Sequence, residues 1–278
     1  MVYASAVQEE FASGVFYCRR PFYLSPAKLE SDYAPVRFQR ELRLFRAWCT
    51  GGKVLDVGCS TGGFLYQLKT RYPEHYHVLG LDLASAALEY AESRGIPVKR
   101  EPFLDLDFGE SRFDAITLWA VIEHLIEPKK FLDKVAQLLK PGGHCFILVP
   151  NLRSLAVRLL GPKYRYIMAE HLNYFTAATL RAFASRQETF EITALGSTHF
   201  NPVVICQDWW SGQREVPDED RAQLLKRTTL WKQSRSLKPL GILYRGVERM
   251  LGLLKLADNL FVVLRKKKLK PADRPKRP

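Results

Sequence analysis

Short β-favouring apolar runs alternate along this chain with stretches whose apolar residues keep helical spacing. Val54, Leu55 and Val57 predict a first buried strand with Asp56 near its end. Gly58, Gly62 and Gly63 follow where the backbone must turn, and Ser60 or Thr61 is placed to cap a helix carrying Phe64, Leu65 and Leu68. Residues 77–82 predict a second strand ending in Asp82, 85–94 a helix closed by Gly95, and 96–99 a third short strand. Residues 113–119 read as a fourth strand. Glu127-Pro128 opens a helix with Phe131, Val135, Leu138 and Leu139 on one face. Lys140-Pro-Gly-Gly143 is a turn, and 144–149 a fifth strand. This alternation predicts an α/β fold, a mostly parallel sheet with helices on both faces.

The flanks are less regular. Residues 1–36 are aromatic and broken by Pro21, Pro26 and Pro35, and predict an arm or lid over the core. Phe38, Leu42, Phe45 and Trp48 then keep helical spacing up to the first strand. Beyond 151, residues 152–160 form a basic amphipathic segment broken by Gly161-Pro162, and Thr176 caps a helix through Leu180 and Phe183. Residues 190–195 suggest a sixth strand. Residues 207–256 read as a helical insertion; its polar part, 207–238, is a helix or a mobile loop, and 240–256 is a helix with Leu243, Val247, Met250, Leu251 and Leu254 along one side. Residues 259–264 form a last strand.

Composition changes this picture little. At 278 residues, 47% hydrophobic and 26% charged, the chain suits one substantial globular core. Its net charge of +13 is concentrated at one end. Residues 265–278 carry eight Lys/Arg against one acid, a surplus of seven out of thirteen, which leaves +6 for the rest. The basicity is thus largely a disordered tail, not a nucleic-acid groove. Five scattered cysteines without a C-x-x-C pair suit a reducing compartment and form no zinc pattern. With neither a signal-like start nor a long uncharged apolar run, a cytoplasmic protein is expected.

The chemistry centres on Asp56-Val-Gly58-Cys-Ser-Thr-Gly62. Its Asp-x-Gly-x-x-x-Gly spacing differs from the Gly-x-Gly-x-x-Gly that seats a dinucleotide, which makes a dehydrogenase the least favoured reading. An acid beside the turn suits a cationic ligand. With Asp82 after the second strand, the fourth strand, and Leu138-Leu-Lys-Pro-Gly-Gly-His-Cys-Phe-Ile-Leu-Val-Pro-Asn151, the motif resembles the class I S-adenosylmethionine-dependent methyltransferases. His171-Leu-Asn-Tyr-Phe-Thr176 and the closing strand resemble the bacterial branch that includes ubiquinone-biosynthesis O-methyltransferases. The resemblance implies a Rossmann-like, doubly wound, seven-stranded sheet with its last strand antiparallel, over a methyltransferase domain at 37–264.

It also implies roles. Asp56, Gly58, Ser60 and Gly62 would hold the methionine part of S-adenosylmethionine, Asp82 with its neighbour Leu83 the ribose hydroxyls, and Glu101 the adenine amino group. Ser60 stands where the family usually has glycine, which serine tolerates if its torsions are negative. Trp119 either lines the pocket or packs in the core. His124 is the candidate general base with Glu123 orienting it, or else it only braces the next helix. His171, with Asn173 and Tyr174, either covers the acceptor pocket or bonds a loop. Some quinone-pathway relatives carry Glu-x-x-Glu-His here and bind a divalent metal. Ala120 takes the first of those positions, so two adjacent ligands remain and no metal is expected.

The leading expectation is O-methylation of a small-molecule, glycan or lipid-precursor acceptor, with no specific nucleic acid partner. An RNA methyltransferase is the alternative suggested by pI ≈ 9.6. Another is a non-catalytic protein with a vestigial cofactor site that touches membrane or a partner through 240–270.

Overall fold

The computed structural model describes residues 2–3, 16, 24–109, 112–210, 218–233 and 238–268. Its centre is a seven-stranded sheet in the order β4-β3-β2-β5-β6-β9-β8. The strands are β2 (Gly52–Val57), β3 (Tyr76–Leu81), β4 (Val98–Lys99), β5 (Phe113–Trp119), β6 (Leu139–Pro150), β8 (Phe190–Thr198) and β9 (Asn259–Lys266). Neighbours from β4 to β6 pair in parallel, while β9 inserts between β6 and β8 and runs antiparallel to both. The expected antiparallel last strand is therefore present. A second, two-stranded sheet joins β1 (Val2–Tyr3) to β7 (Asn173–Tyr174).

Helices cover the sheet because its central strands are apolar on both faces. Leu55, Ile116, Ile147 and Val262 belong to one core layer, and Val54, Ala115, Phe146 and Val263 to the other. Every one of these residues is fully buried, and each large aliphatic contributes roughly 1.5–3 kcal/mol by leaving water. The chain passes through α1 (Pro26–Asp32), α2 (Gln39–Arg46), α3 (Gly63–Arg71), α4 (Ser85–Ser93), α5 (Pro128–Leu138), α6 (Leu155–Leu160) and α7 (Ala177–Ser185). Three more helices follow β8: α8 (Pro202–Trp210), α9 (Asp218–Gln233) and α10 (Lys238–Leu253).

Local chemistry sets most boundaries. Thr176 caps α7 as expected, in a reciprocal capping box with Thr179. Neither Ser60 nor Thr61 caps α3. Gly62 holds that position in a left-handed conformation, and the Thr61 hydroxyl donates instead to Asp32 Oδ2 at 3.2 Å. The Lys140–Gly143 segment does not end a strand, because β6 runs through it and absorbs the extra residues as a register shift against β5. At the far end, β9 extends through Lys266. Arg265 pairs with Glu191, and Lys266 Nζ donates to the Leu139 carbonyl at 2.7 Å, so the expected tail begins later than 265. Residues 269–278 lie outside the described residues, as does most of 1–23. On α10 and just past its end, the predicted stripe is split: Leu251 is buried, while Met250 and Leu254 are exposed.

Candidate active site

The parallel strands aim their carboxyl ends at one edge of the sheet, and the loops there carry the polar residues singled out in the sequence. Register sets Asp56 of β2 beside Thr117 of β5, whose hydroxyl donates to Asp56 Oδ1 at 2.6 Å. Burial pushes the Asp56 carboxyl up to about 7; the nearby Asp82 charge adds to the rise, and the Thr117 hydrogen bond opposes it. Thr117 was not singled out from the sequence, although one threonine inside an otherwise apolar strand end was the available signal.

Gly58 has φ +76°, and a Cβ there would lie 2.6 Å from Val121 Cγ2, so the turn demands glycine twice over. Ser60 is also left-handed, at φ +49°, so the condition of negative torsions set for serine at this position is not met. Its amide donates to Asp82 Oδ2 at 2.7 Å. Its hydroxyl is buried without a hydrogen-bond partner among the described residues.

Asp82 Oδ1 accepts from the amides of Leu83 (2.8 Å) and Ala84 (3.0 Å). Three of the carboxylate's roughly four acceptor positions are thus filled, so engaging both ribose hydroxyls requires one amide to let go. Glu101 is exposed beyond β4 and accepts from the Arg100 amide at 3.0 Å. Trp119 meets Phe64 edge-on with ring centroids 5.4 Å apart, and its indole N–H is buried without an acceptor among the described residues. The expected arm also touches this loop: the Tyr33 hydroxyl donates to the Thr61 carbonyl.

A second cluster stands beyond β5, on the 3₁₀ turn Ile122–His124. The Leu172 amide donates to the Glu123 carbonyl at 2.8 Å, and Asn173 Nδ2 donates to the Leu125 carbonyl at 2.6 Å and that of Ile122 at 3.2 Å. Asn173 is therefore a buried brace rather than a pocket wall. These bonds bring His171 to His124, with ring centroids 4.7 Å apart.

A carbonyl only accepts, so both imidazoles carry their proton on Nδ1, His124 donating to Glu170 O and His171 to Tyr166 O, each at 2.9 Å. Glu123 is fully buried, and neither carboxylate oxygen has a hydrogen-bond partner among the described residues, so no hydrogen bond from it orients His124 there. Burial pushes its carboxyl up to about 8. One ligating atom from each of Glu123, His124 and His171 lies within 4.8 Å of the others. Where the sequence supplied two adjacent ligands, the fold adds a third.

A family model described as a methyltransferase domain matches residues 33–193, more than half the chain. The chain belongs to the methyltransferase-domain family, within the class I, S-adenosylmethionine-dependent group. This methyltransferase is 32% identical over 149 residues to a ubiquinone biosynthesis O-methyltransferase of Alkalilimnicola ehrlichii, an alignment covering 49% of this chain and 59% of that relative. It is 27% identical over 193 residues to the enzyme of the same name from Shewanella halifaxensis, covering 63% and 80%.

Among solved structures, the phosphoethanolamine N-methyltransferase 2 of Haemonchus contortus in complex with S-adenosyl-L-methionine shares the fold. Its TM-score is 0.57 at 16% identity, over 95% of this chain and 61% of that one. A possible histamine N-methyltransferase of Thermotoga maritima gives 0.54 at 16% identity, over 93% and 99%.

The cofactor of this family fits the first cluster. Asp56 supplies a buried acid suited to a cationic ligand, a Cβ at Gly58 would lie 2.6 Å from Val121 Cγ2, and Ser60 Oγ and Trp119 Nε1 are buried without hydrogen-bond partners among the described residues.

Proposed function

We propose that this methyltransferase moves the methyl group of S-adenosylmethionine onto an oxygen of a small-molecule, glycan or lipid-precursor acceptor. Asp56, Gly58, Ser60 and Gly62 hold the methionine end, Asp82 and Leu83 the ribose, and Trp119 walls the reacting methyl. Glu101 is the adenine contact, reached from its exposed position. What carries the assignment of oxygen is the His124 ring. Its Nδ1–H is anchored on the Glu170 carbonyl, which leaves Nε2 as the basic nitrogen at the carboxyl edge of β5.

The step balances simply. The acceptor O–H proton passes to His124 Nε2, the oxygen lone pair forms the new O–CH₃ bond, and the S–CH₃ bond breaks to leave a neutral thioether. Alignment and exclusion of water supply much of the acceleration. Glu123 and His171 close the acceptor side. Their donor set also fits a divalent ion, which Glu123, His124 and His171 would hold, and it would supply a Lewis acid at the acceptor. Peripheral contact with a membrane belongs to the same reading, because a lipid-precursor acceptor would be met there. Among the described residues no helix is long and apolar enough to cross a membrane.

The test is incubation of the full chain and methyl-labelled cofactor with fractionated host extract, followed by linkage analysis of the labelled product. Label in a base-stable methyl ether of a small molecule supports the proposal. Label confined to RNA, or to nitrogen, overturns it.

A further inference from the structure

The outer face of α10 is unusual for a helix that packs on a sheet edge. Its inward side presents Val247, Glu248 and Leu251, while Met250, Leu253 and Leu254 recur at helical spacing on the outside, and Leu253 is 77% exposed. This apolar stripe does not stand alone. The Leu155 amide donates to the Leu256 carbonyl at 2.8 Å, and Asn151 Nδ2 donates to the Lys255 carbonyl at 3.0 Å, so the end of α10 is fastened to the start of α6. One turn along α6 from Leu155, Leu159 is also exposed.

Charge on these two segments has one sign. Arg153, Arg158, Lys163, Arg249 and Lys255 are all exposed, and neither 152–163 nor 249–257 contains an acid. None of the five has a carboxylate partner among the described residues. The helix α8, which packs on α6 through Val204, ends in Trp209 and Trp210, the latter 83% exposed. Apolar side chains ringed by unpaired cations, with tryptophan at the margin, match the two components of an anionic bilayer surface. The acyl boundary takes the aliphatic and indole groups, and the phosphates take the Lys and Arg, each worth about 1 kcal/mol near such a surface.

We propose that the α6–α10 face, centred on Leu253 and Leu254, docks this protein on anionic phospholipid. The segment 152–166 that borders this face runs on to His171, so docking would set the acceptor side toward the lipid. The docking itself does not depend on the methyl-transfer reading, since it is measured without cofactor or acceptor.

The test is flotation of the full chain with vesicles of phosphatidylglycerol and phosphatidylcholine, and with phosphatidylcholine alone. Leu253→Glu/Leu254→Glu is the variant, because both positions are exposed and outside the catalytic and cofactor residues; retained S-adenosylmethionine binding reports that it folds. The expected results are binding to the anionic vesicles only, weakened by salt, and reduced about tenfold or more in the double variant. Three results would overturn the proposal. They are absence of wild-type binding, undiminished binding by the folded double variant (which would assign attraction to the basic end of the chain), and a wild-type dimer that the double variant converts to monomer.

Discussion

The amide of Ser60 donates to Asp82 Oδ2 at 2.7 Å, from a backbone held at φ +49°. The two residues are thereby locked together across the cofactor loop, and the lock is held at a conformational cost. A left-handed L-residue sacrifices roughly 1–2 kcal/mol that glycine keeps. Ser60→Gly is therefore expected to raise stability by about 1 kcal/mol in urea unfolding of the cofactor-free protein. The lost hydroxyl weakens S-adenosylmethionine binding at the same time. A variant that is less stable than the parent contradicts the strain.

Asp56, if it meets the cofactor as proposed, is expected to make cofactor binding depend on pH. Its carboxyl titrates near 7 in the folded chain against an ordinary 3.8. A folded value raised by burial means that the cofactor-free protein is favoured at low pH. That advantage declines as pH rises from about 3.8 and is gone above about 7. A bound cation draws the value down, so binding releases a proton and affinity rises as pH passes upward through about 7. Calorimetry in buffers of different ionisation enthalpy measures that proton directly. Proton uptake, or affinity falling with pH, would contradict the placement of the positive charge at Asp56.

His124→Asn keeps a donor near the Nδ1 position, and with it the bond to the Glu170 carbonyl, while removing the basic nitrogen. The expected outcome is a kcat lowered by about 100-fold or more, with the cofactor dissociation constant nearly unchanged. Steady-state kinetics with the identified acceptor, paired with calorimetry, separates the two quantities. Unaltered turnover removes His124 from the proton transfer.

Zinc added to the metal-free chain is expected to bind at Glu123, His124 and His171, whose Nδ1–H groups are already anchored on carbonyls in the manner of ligating histidines. Glu123→Gln preserves shape, and its wild-type carboxylate bonds no group among the described residues, so loss of zinc affinity by about tenfold or more reports coordination rather than unfolding. Turnover is expected to survive chelation, because Nε2 of His124 serves as the base when no ion engages it. Activity lost to a chelator and restored by zinc would make the cluster a required metal centre.

The strand-and-turn reading of residues 52–150 was legible because those strands are apolar on both faces and the glycines mark the turns. Asp56, Gly58 and Asp82 stood out by their spacing, and their roles were implied by the family resemblance. The Ser60 torsion was not legible, because serine carries no mark of the left-handed state into which Cys59 and Gly62 lock it. Glu123 looked like a neighbour that orients His124, yet its carboxylate bonds no group among the described residues, and the carbonyl that holds the imidazole comes from Glu170. His171 lies 47 positions beyond His124, and bonds made by Leu172, by Asn173 and by His124 itself to Glu170 bring the rings together. The stripe on α10 was recognised, but whether it faced the core or a partner was left open, because periodicity gives a face without saying which side the sheet covers.

The claim on which all of this rests is that the carboxyl edge of β2, β3 and β5 binds S-adenosylmethionine. Isothermal titration of the full chain with the cofactor tests it most directly, with Asp82→Ala as the comparison. The account predicts one saturable site in the parent chain and its loss or severe weakening in the variant. No binding heat at any temperature with Asp56 and Asp82 intact, or equal binding by Asp82→Ala, would contradict it.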